Sequence, residues 1–562
     1  MTLVIYGGCS RIKISHQMLF AAGGFRRFDL PNGSYTTHGG VMKLWIRSLY
    51  CALLGLCLIP GKAFAQVEIS AMPTAKRAQI EIMLTQELQH RLSTAKRITG
   101  QAGNVGLKVS LDARSGMLII DLSKEYVPYG AQHITAEIED STTQLANTAS
   151  ELLRGVVQLN GVLIHIDGKD IDKYFEDKEI VKPISAKSTL ITGAAGKVVV
   201  SAGHGIYYHY GFNDWRAQRD PSNGITEDFI TPGYATELHN LLVQRSDASV
   251  YLARSIGTHS HMPSDEAWWK LGARYSLQEA YPQVRGIWLS YPKSTEALRE
   301  RNDDIMSRPK YANHLGANTL IHLHTNAADP SATGVRAIYH AGRHADQRLA
   351  NNILCYMKEL IRAKEIYAGY TVPLQAEARN NLAENSKAAM PSVIVEVGFH
   401  TNPSDAMALQ DPVLRAASMK GVEKGYRLNV EGKTVCEPFK IESIPSASGP
   451  HNSSFPLSFN YKGYPQFPVR AKMENVNCPS GSTCTGGEVT YETKIPSPLL
   501  ATFSCSGDGP PRTSKWRTIL TDADEVKATP VEYSVTCGSG SGGQILNSAF
   551  NGKRPAASMR TN

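Results

Sequence analysis

The stretch KVVVSAGHGI, residues 197–206, joins a short apolar run to a histidine. The valines from Val198 to Val200 are typical of a strand that is buried on both faces. His204 follows between two glycines, where a packed core has little use for an imidazole. It is either a capping residue beside a tight turn or a functional residue. In open α/β sheets, ligands collect beyond the carboxyl ends of the strands, which favours a functional role.

Two later stretches share this feature. NTLIHLHTN, residues 318–326, ends in His324 and Asn326, and PSVIVEVGFHTN, residues 391–402, carries Glu396 inside an apolar run. Alternation with a period of two places both histidines of the first stretch on one face, so one of them is free to hydrogen-bond a neighbour, and we assign that role to His322. An ionised carboxylate among valines costs several kcal/mol unless a cation, a metal or a raised pKa compensates. Glu396 is therefore a candidate functional residue.

A third candidate lies in GITEDFITPGYATELHNLL, residues 224–242. Glu227 opens a segment whose apolar residues have helical spacing, which predicts a helix that starts near it. Acidic residues are common at helix starts, so this position alone carries little information. With His204 and His324, however, Glu227 completes two imidazoles and one carboxylate, the ligand set of a catalytic zinc site with an open water position.

Four stretches, in the same order, resemble the zinc-dependent N-acetylmuramoyl-L-alanine amidases that cut bacterial peptidoglycan: SAGHG, GITEDF with an apolar helix, HTNAAD with GVRAIYH, and PSVIVEVGFHTNPSDAMAL. The last is the most specific, and the resemblance spans about residues 195–430. It implies that His204, Glu227 and His324 bind Zn²⁺ and that Glu396 is the catalytic glutamate. The implied reaction cleaves the amide between N-acetylmuramic acid and L-alanine of the stem peptide.

The chain departs from the family pattern between the first two ligands. The loop YYHYGFNDWRAQRDPSN, residues 207–223, is expanded, and it offers Asp214, Asp220 and His209 as alternatives to the carboxylate ligand. We retain Glu227 because GITEDFIT matches the family pattern register for register.

A second insertion, at about residues 257–310, is rich in aromatic side chains. One interpretation is an extra packed subdomain. The other is a lid or self-blocking segment over the site, or a wall for the glycan strand. The aromatic residues are Trp268, Trp269, Tyr275, Tyr281, Trp288 and Tyr291.

Two other functions compete with the amidase. One is a zinc peptidase that acts elsewhere on the stem peptide, and the other is a non-catalytic protein that binds the wall as a scaffold. The chain contains neither H-E-x-x-H nor G-x-S-x-G, which argues against the commonest metalloproteases and serine hydrolases. All four candidate site residues are present, which favours catalysis. We expect peptidoglycan as the partner, and an envelope activator protein is a second candidate.

The N-terminal residues predict export. Lys43 and Arg47 precede the apolar run CALLGLCLIP, and a small-x-small site ends at Ala65, so residues 42–65 are predicted to be a signal peptide. The alternative is an uncleaved membrane anchor. After cleavage we expect no stable membrane span, a periplasmic location and, as the alternative, secretion. Residues 1–41 are predicted to be a non-native upstream extension and are excluded from fold reasoning.

The charge distribution argues against nucleic acid. The formal net charge is +8, but seven basic residues and one acidic residue lie in the first 65 positions, which leaves 52 basic and 50 acidic residues. The main body is nearly neutral, so no nucleic-acid partner is expected.

The predicted catalytic domain, residues 195–435, is α/β, with a mixed sheet flanked by helices. Before it, residues 66–185 predict a small α+β accessory domain, similar to the domain first named from spore germination proteins. After it, period-two alternation predicts a disulfide-tied, all-β sandwich-like domain at 455–537, separated by a linker at 444–456. A flexible tail is predicted at 538–562.

Six cysteines follow the leader, an even number that implies disulfides in an oxidising compartment. The expected pairs are Cys478 with Cys484 across a turn, Cys505 with Cys537 between two strands, and Cys355 with Cys436 as the remaining pair.

Overall fold

The computed structural model describes residues 66–175 and 196–538. The predictions for residues 1–65, for the segment 176–195 and for the tail from residue 539 lie outside the described residues. Along the described part of the chain, no helix is both long and apolar enough to cross a bilayer.

The first region is a small α+β unit, as predicted. Thr135 caps its second helix by accepting a hydrogen bond from the backbone N–H of Ile138. Its elements are β1 (Val67–Glu68), α1 (Thr74–Thr94), β2 (Leu107–Asp112), β3 (Met117–Leu122), α2 (Ala136–Leu153), β4 (Val157–Gln158), β5 (Gly161–Ile166), β6 (Lys169–Asp170) and α3 (Ile171–Tyr174).

The middle region alternates strands and helices. Pro412 and the capping carboxylate of Asp411 start its last helix, since proline suits the first helical turn. Its strands are β7 (Lys197–Ala202), β8 (Tyr207–His209), β9 (Asp214–Arg216), β10 (Ser249–Leu252), β11 (Ser260–His261), β12 (Glu266–Ala267), β13 (Thr319–Asn326), β14 (Arg336–His340), β15 (Glu377–Arg379) and β16 (Ser392–Phe399). Its helices are α4 (Glu227–Arg245), α5 (Ala273–Ala280), α6 (Arg285–Trp288), α7 (Arg299–Leu315), α8 (His344–Arg362), α9 (Ala383–Ser386), α10 (Pro403–Gln410) and α11 (Pro412–Val430).

One mixed sheet of ten strands runs through both regions, in the order β10-β7-β13-β16-β14-β15-β5-β3-β2, with β6 beside β5. Strands β10, β7, β13 and β16 are parallel, whereas β14 is antiparallel to β16. The junction is a parallel pairing of Ala378 in β15 with Gly161 in β5. A Cβ at Gly161 would lie 2.3 Å from the carbonyl oxygen of Ala378, so the close approach requires glycine.

This junction shows that the N-terminal region is not separate from the catalytic sheet. The sequence predicts an accessory domain apart from the catalytic sheet, but β5, β3 and β2 extend that sheet. A single residue pair makes the junction, and such a short contact leaves no periodic signal in the sequence.

The valine run of β7 is buried on both faces, as predicted. Val198 and Val200 pack with Ile321 against α4, α8 and α11, while Val199 packs with Leu320 on the opposite face, against α5, α6 and α7. Period-two alternation therefore places His322 and His324 on the face of Val199.

The C-terminal region is all-β, and its two sheets share one core around Phe459, Leu499, Trp516 and Val535. One sheet has the order β17-β19-β22 and the other β18-β24-β23-β20-β21. The strands are β17 (Lys440–Ser443), β18 (Ala447–Gly449), β19 (Ser453–Lys462), β20 (Val469–Asn477), β21 (Gly487–Tyr491), β22 (Leu499–Cys505), β23 (Arg512–Thr521) and β24 (Val531–Cys537).

The predicted linker at 444–456 is wrong. It contains β18, which pairs in parallel with β24, and the start of β19, so strands begin at Lys440 rather than at 455. The β18 residues are Ala, Ser and Gly, which carry no hydrophobic alternation, so backbone pairing rather than side-chain packing defines this strand.

All three predicted disulfides are confirmed. They join Cys355 to Cys436, Cys478 to Cys484, and Cys505 to Cys537.

Candidate metal centre and catalytic site

The three strands singled out by the sequence are neighbours in the sheet. Strand β13 lies between β7 and β16 and is parallel to both. The register pairs Leu323 with Ala202 on one side and His324 with Glu396 on the other. The carboxyl ends of these strands therefore bring the predicted residues to one edge, where α/β sheets bind ligands.

His204, Glu227 and His324 form one buried cluster in which one donor atom of each lies within 4.8 Å of the others. Nδ1 of His324 is 3.1 Å from Nε2 of His204 and 3.1 Å from Oε1 of Glu227. Nε2 of His204 is 3.4 Å from Oε2 of Glu227. Three donors this close, from residues that offer nitrogen and oxygen, can hold a metal ion.

The turn after β7 explains the placement of His204. Its φ is +58°, in the left-handed region that few residues other than glycine adopt. Gly203 precedes it, and a Cβ there would lie 2.4 Å from the His324 ring. Backbone strain of this kind clusters at functional sites. The two glycines noted in the sequence thus flank a strained histidine that faces the second imidazole.

Side-chain partners orient the His204 ring. Its Nδ1 lies 3.3 Å from Oε1 of Gln218, and Nε2 of Gln218 donates a 2.8 Å hydrogen bond to Asp304. Because the amide oxygen of Gln218 accepts, Nδ1 carries the proton and Nε2 is free to bind a metal.

Glu227 is the first residue of α4, as predicted, and accepts a 2.9 Å hydrogen bond from the backbone N–H of Thr325. The alternatives lie elsewhere. Asp220 and His209 line the adjoining cavity, and Asp214 accepts a hydrogen bond from the N–H of Trp215 in the β8–β9 hairpin. The carboxylate beside the two imidazoles is therefore that of Glu227.

The pKa values in the cluster follow from burial and neighbouring charge. Burial lowers the pKa of His204, which favours the neutral imidazole that metals bind. Burial would raise the pKa of Glu227, but His204 and His324 outweigh it and hold the pKa well below its usual range. Burial would lower the pKa of His324, but Glu384 and Glu227 raise it to about 10.

Glu384 is a candidate site residue that the sequence does not predict. It lies in the short helix α9, and its Oε2 is 3.0 Å from Nε2 of His324. Its Oε1 is 3.3 Å from Nδ1 of His322 and 2.5 Å from Nη1 of Arg308. Glu384 thus lies at ion-pair distance from His322, but neither ring nitrogen of His322 has a hydrogen-bond partner among the described residues, so its predicted bonding role stays a prediction. A four-residue helix carries no periodic signal, so nothing in the sequence marked Glu384 as part of the site.

Glu396 lies on the same edge, paired in register with His324. It is 9% exposed and lines the cavity beside the cluster, and its Oε2 has no hydrogen-bond partner among the described residues. Burial raises its pKa, and although His324 opposes this, the nearby Glu227 and Glu384 also raise it, to about 8. Glu396 is thus a carboxyl group with a free oxygen and a pKa near neutrality.

The cluster opens into a cavity of about 1110 Å³. One wall comes from the catalytic region and includes His400 and Asn326, and the opposite wall comes from the N-terminal region. The N-terminal wall includes Lys96, Arg97, Tyr129, Glu139, Asp140 and Gln144. The predicted accessory region is therefore part of the same cleft.

The insertion at 257–310 combines features of both interpretations. Leu277 and Trp288 pack against Val199 of the sheet, as expected of an extra packed subdomain. The cavity is lined, as expected of a wall, by Glu296, Ala297, Leu298, Arg301 and Asn302.

A buried pair of imidazoles with one carboxylate, next to a second glutamate, is the arrangement of a metal-dependent hydrolase. Residues 198–426 match the family model of the N-acetylmuramoyl-L-alanine amidases. No curated protein matches the chain.

Solved structures similar to this chain include three amidases. The catalytic domain of CwlV from Bacillus (Paenibacillus) polymyxa var. colistinus is 18% identical, with a TM-score of 0.26, over 41% of this chain and 95% of that one. An N-acetylmuramoyl-L-alanine amidase from Clostridium difficile 630 is 18% identical, with a TM-score of 0.28, and the match covers 42% of this chain and 95% of that one. The CwlD amidase from Clostridioides difficile, solved with the GerS lipoprotein, is 17% identical, with a TM-score of 0.28, and the match covers 42% of this chain and 99% of that one.

Proposed function

We propose that this protein is a zinc-dependent peptidoglycan hydrolase that cleaves the amide between N-acetylmuramic acid and the L-alanine of the stem peptide. The observation that carries the proposal is the convergence of His204, Glu227 and His324 beside Glu396, within the region that matches the amidase family model.

The donor set fits Zn²⁺. Two imidazoles and one carboxylate, buried and within 4.8 Å of one another, leave a fourth position for water. Gln218 and Glu384 contact the far nitrogens of His204 and His324, as the outer partners of metal-bound histidines commonly do. When bound, zinc would lower the pKa of a water molecule and polarise the scissile carbonyl.

Glu396 is the residue that we propose to move the proton. Glu396 lines the cavity, its Oε2 has no hydrogen-bond partner among the described residues, and a pKa near the working pH suits a group that must both accept and donate a proton. It would take a proton from the attacking water and then deliver it to the leaving amine of L-alanine. A positive charge bound at the cluster would lower this pKa and keep the carboxylate ionised at the start of the cycle.

The cleft suits a polymer that carries both sugar and peptide. Its volume of about 1110 Å³ lies just above the range for small-molecule sites, and its walls carry many charged and polar side chains. Such walls can bind sugar hydroxyls and peptide carboxylates. We propose peptidoglycan as the substrate, and an envelope activator protein would be a second partner.

Export is also part of the proposal. Three disulfides in the described residues favour an oxidising compartment. Together with a cell-wall substrate, the disulfides support a periplasmic location for the protein. Secretion is the alternative.

Mass spectrometry of digested peptidoglycan tests the bond that is cleaved. The protein should release intact stem peptides that begin with a free L-alanine amine and leave uncut glycan strands. Glu396→Gln serves as the inactive control. Shortened peptides that remain attached to muramic acid would instead identify a stem peptidase, and the absence of any product would contradict a catalytic role.

A further inference from the structure

Helix α2 of the N-terminal region reaches the metal cluster through one carboxylate. Oδ1 of Asp140 lies 2.6 Å from Nη1 of Arg219, and Oδ2 of Asp140 lies 2.5 Å from Nη2 of Arg301. Both arginines belong to the catalytic region, and all three residues line the cavity. The N-terminal region thus supplies the counter-charge for two cations of the cleft.

Arg219 lies between this carboxylate and a predicted metal ligand. Its Nε is 3.6 Å from Oε2 of Glu227, while its Nη1 is the atom that contacts Asp140. Its backbone N–H donates a 3.1 Å hydrogen bond to Asp228, which fixes the start of the side chain. Asp140 and Glu227 therefore share one guanidinium.

The charge state of Asp140 suits this role. Desolvation would raise its pKa, but Arg219 and Arg301 outweigh that effect and lower the pKa to about 2. The carboxylate is ionised at any pH at which the protein would work.

Further contacts hold α2 at the cleft. Asn147 donates a 2.7 Å hydrogen bond to Oδ1 of Asn326, two residues after His324. Glu139 accepts a 2.9 Å hydrogen bond from the backbone N–H of Ala383, next to Glu384. The position of Asp140 is thus fixed relative to the cluster.

A guanidinium beside a metal ligand opposes metal binding in two ways. It competes with the metal for the Glu227 carboxylate, and its positive charge repels the cation. A carboxylate on its far side reduces both effects, because it draws the guanidinium away and neutralises it.

We propose that Asp140 is a positioning residue through which the N-terminal region sets the metal affinity of the catalytic cluster, by competing with Glu227 for the Arg219 guanidinium. The inference rests on the proposed zinc site, and it makes the N-terminal region a working part of that site.

Zinc dissociation constants, measured on the full chain by competition with a chromophoric chelator, test this proposal. Asp140→Asn should bind zinc about 10- to 100-fold more weakly, the usual range for a lost outer partner. Asp140→Asn combined with Arg219→Gln should recover affinity, because no unpaired cation remains. Arg219→Gln alone should bind zinc at least as tightly as the wild type, which keeps the test valid if Asp140→Asn folds poorly.

Ser150→Ala is the matched control. Ser150 lies on the same helix and donates a 2.8 Å hydrogen bond across the same interface, to Glu377, so this variant should keep the wild-type zinc affinity. Equal affinity in Asp140→Asn and wild type, or no recovery in the double variant, would overturn the proposal. A wild-type chain that binds no zinc would overturn the proposed function with it, so the two failures are distinguishable.

Discussion

Oε2 of Glu384 lies 3.0 Å from Nε2 of His324, while Nδ1 of the same ring faces Glu227 at 3.1 Å. The imidazole is therefore held between two carboxylates that contact its two nitrogens. A carboxylate on Nε2 keeps the proton on that nitrogen and leaves Nδ1 as the metal donor.

Glu384→Gln should weaken zinc binding about 10- to 100-fold. The neutral amide orients the His324 ring less strongly than the carboxylate does, and it lacks the negative charge of the carboxylate. The measurement is the zinc dissociation constant on folded protein. Glu359→Gln is the control, since Glu359 is equally buried and pairs with Lys424. If both variants bound zinc as the wild type does, Glu384 would not orient the ligand.

Gly203→Ala should distort the cluster, because the added Cβ would lie 2.4 Å from the His324 ring. Overpacking of this kind costs about 1–3 kcal/mol. We expect a lower unfolding midpoint and weaker zinc binding in the same variant. Gly286→Ala places its Cβ in open space and should change neither quantity. Unchanged zinc binding in Gly203→Ala would show that the strand end tolerates a side chain.

Asp524 should make stability depend on pH. It joins the C-terminal region to the catalytic region through Arg245 at 2.7 Å and Lys420 at 2.8 Å. Burial would raise its pKa, but the two cations lower it to about 2, below the unfolded value of about 3.9. Its contribution of about 2–3 kcal/mol is present above the unfolded pKa and is lost as pH falls through the folded pKa.

Asp524→Asn should therefore unfold at lower urea concentration than the wild type at pH 7, and the difference should shrink towards pH 2. Glu525→Gln is the neighbouring control, because this exposed carboxylate pairs with Lys364 at the surface and should contribute little. A difference that stays constant with pH would contradict the assigned role.

The disulfide between Cys355 and Cys436 should stabilise the protein more than the short one does. Its two cysteines are 81 residues apart in the sequence, whereas Cys478 and Cys484 are 6 residues apart. Chain entropy predicts losses of about 4 and about 2 kcal/mol when each pair is replaced by alanine. Urea unfolding of the two double variants compares them, and a larger loss from the short loop would contradict this account.

The site was largely predictable because its residues interrupt strong patterns. His204, His324 and Glu396 each occur at or inside an apolar strand, where a polar side chain is conspicuous. Parallel strands bring such residues to one edge, so the register of His324 with Glu396 follows from the fold class.

Other parts of the site were not predictable because they depend on contacts between distant segments. Glu384 lies in a four-residue helix, and Asp140 lies on a helix in another region. The pairing of Gly161 with Ala378 joins the two parts of the sheet through one residue pair. None of these contacts leaves a local periodicity or a spacing that sequence reasoning can detect.

Zinc content and release of stem peptides should be measured on the same preparations of wild type, Glu396→Gln and His204→Ala. The wild type should contain one zinc ion per chain and release stem peptides. Glu396→Gln should keep zinc but lose about 10²- to 10⁴-fold in rate, and His204→Ala should lose both. Near-normal hydrolysis by Glu396→Gln, or full zinc content in His204→Ala, would contradict the proposed function.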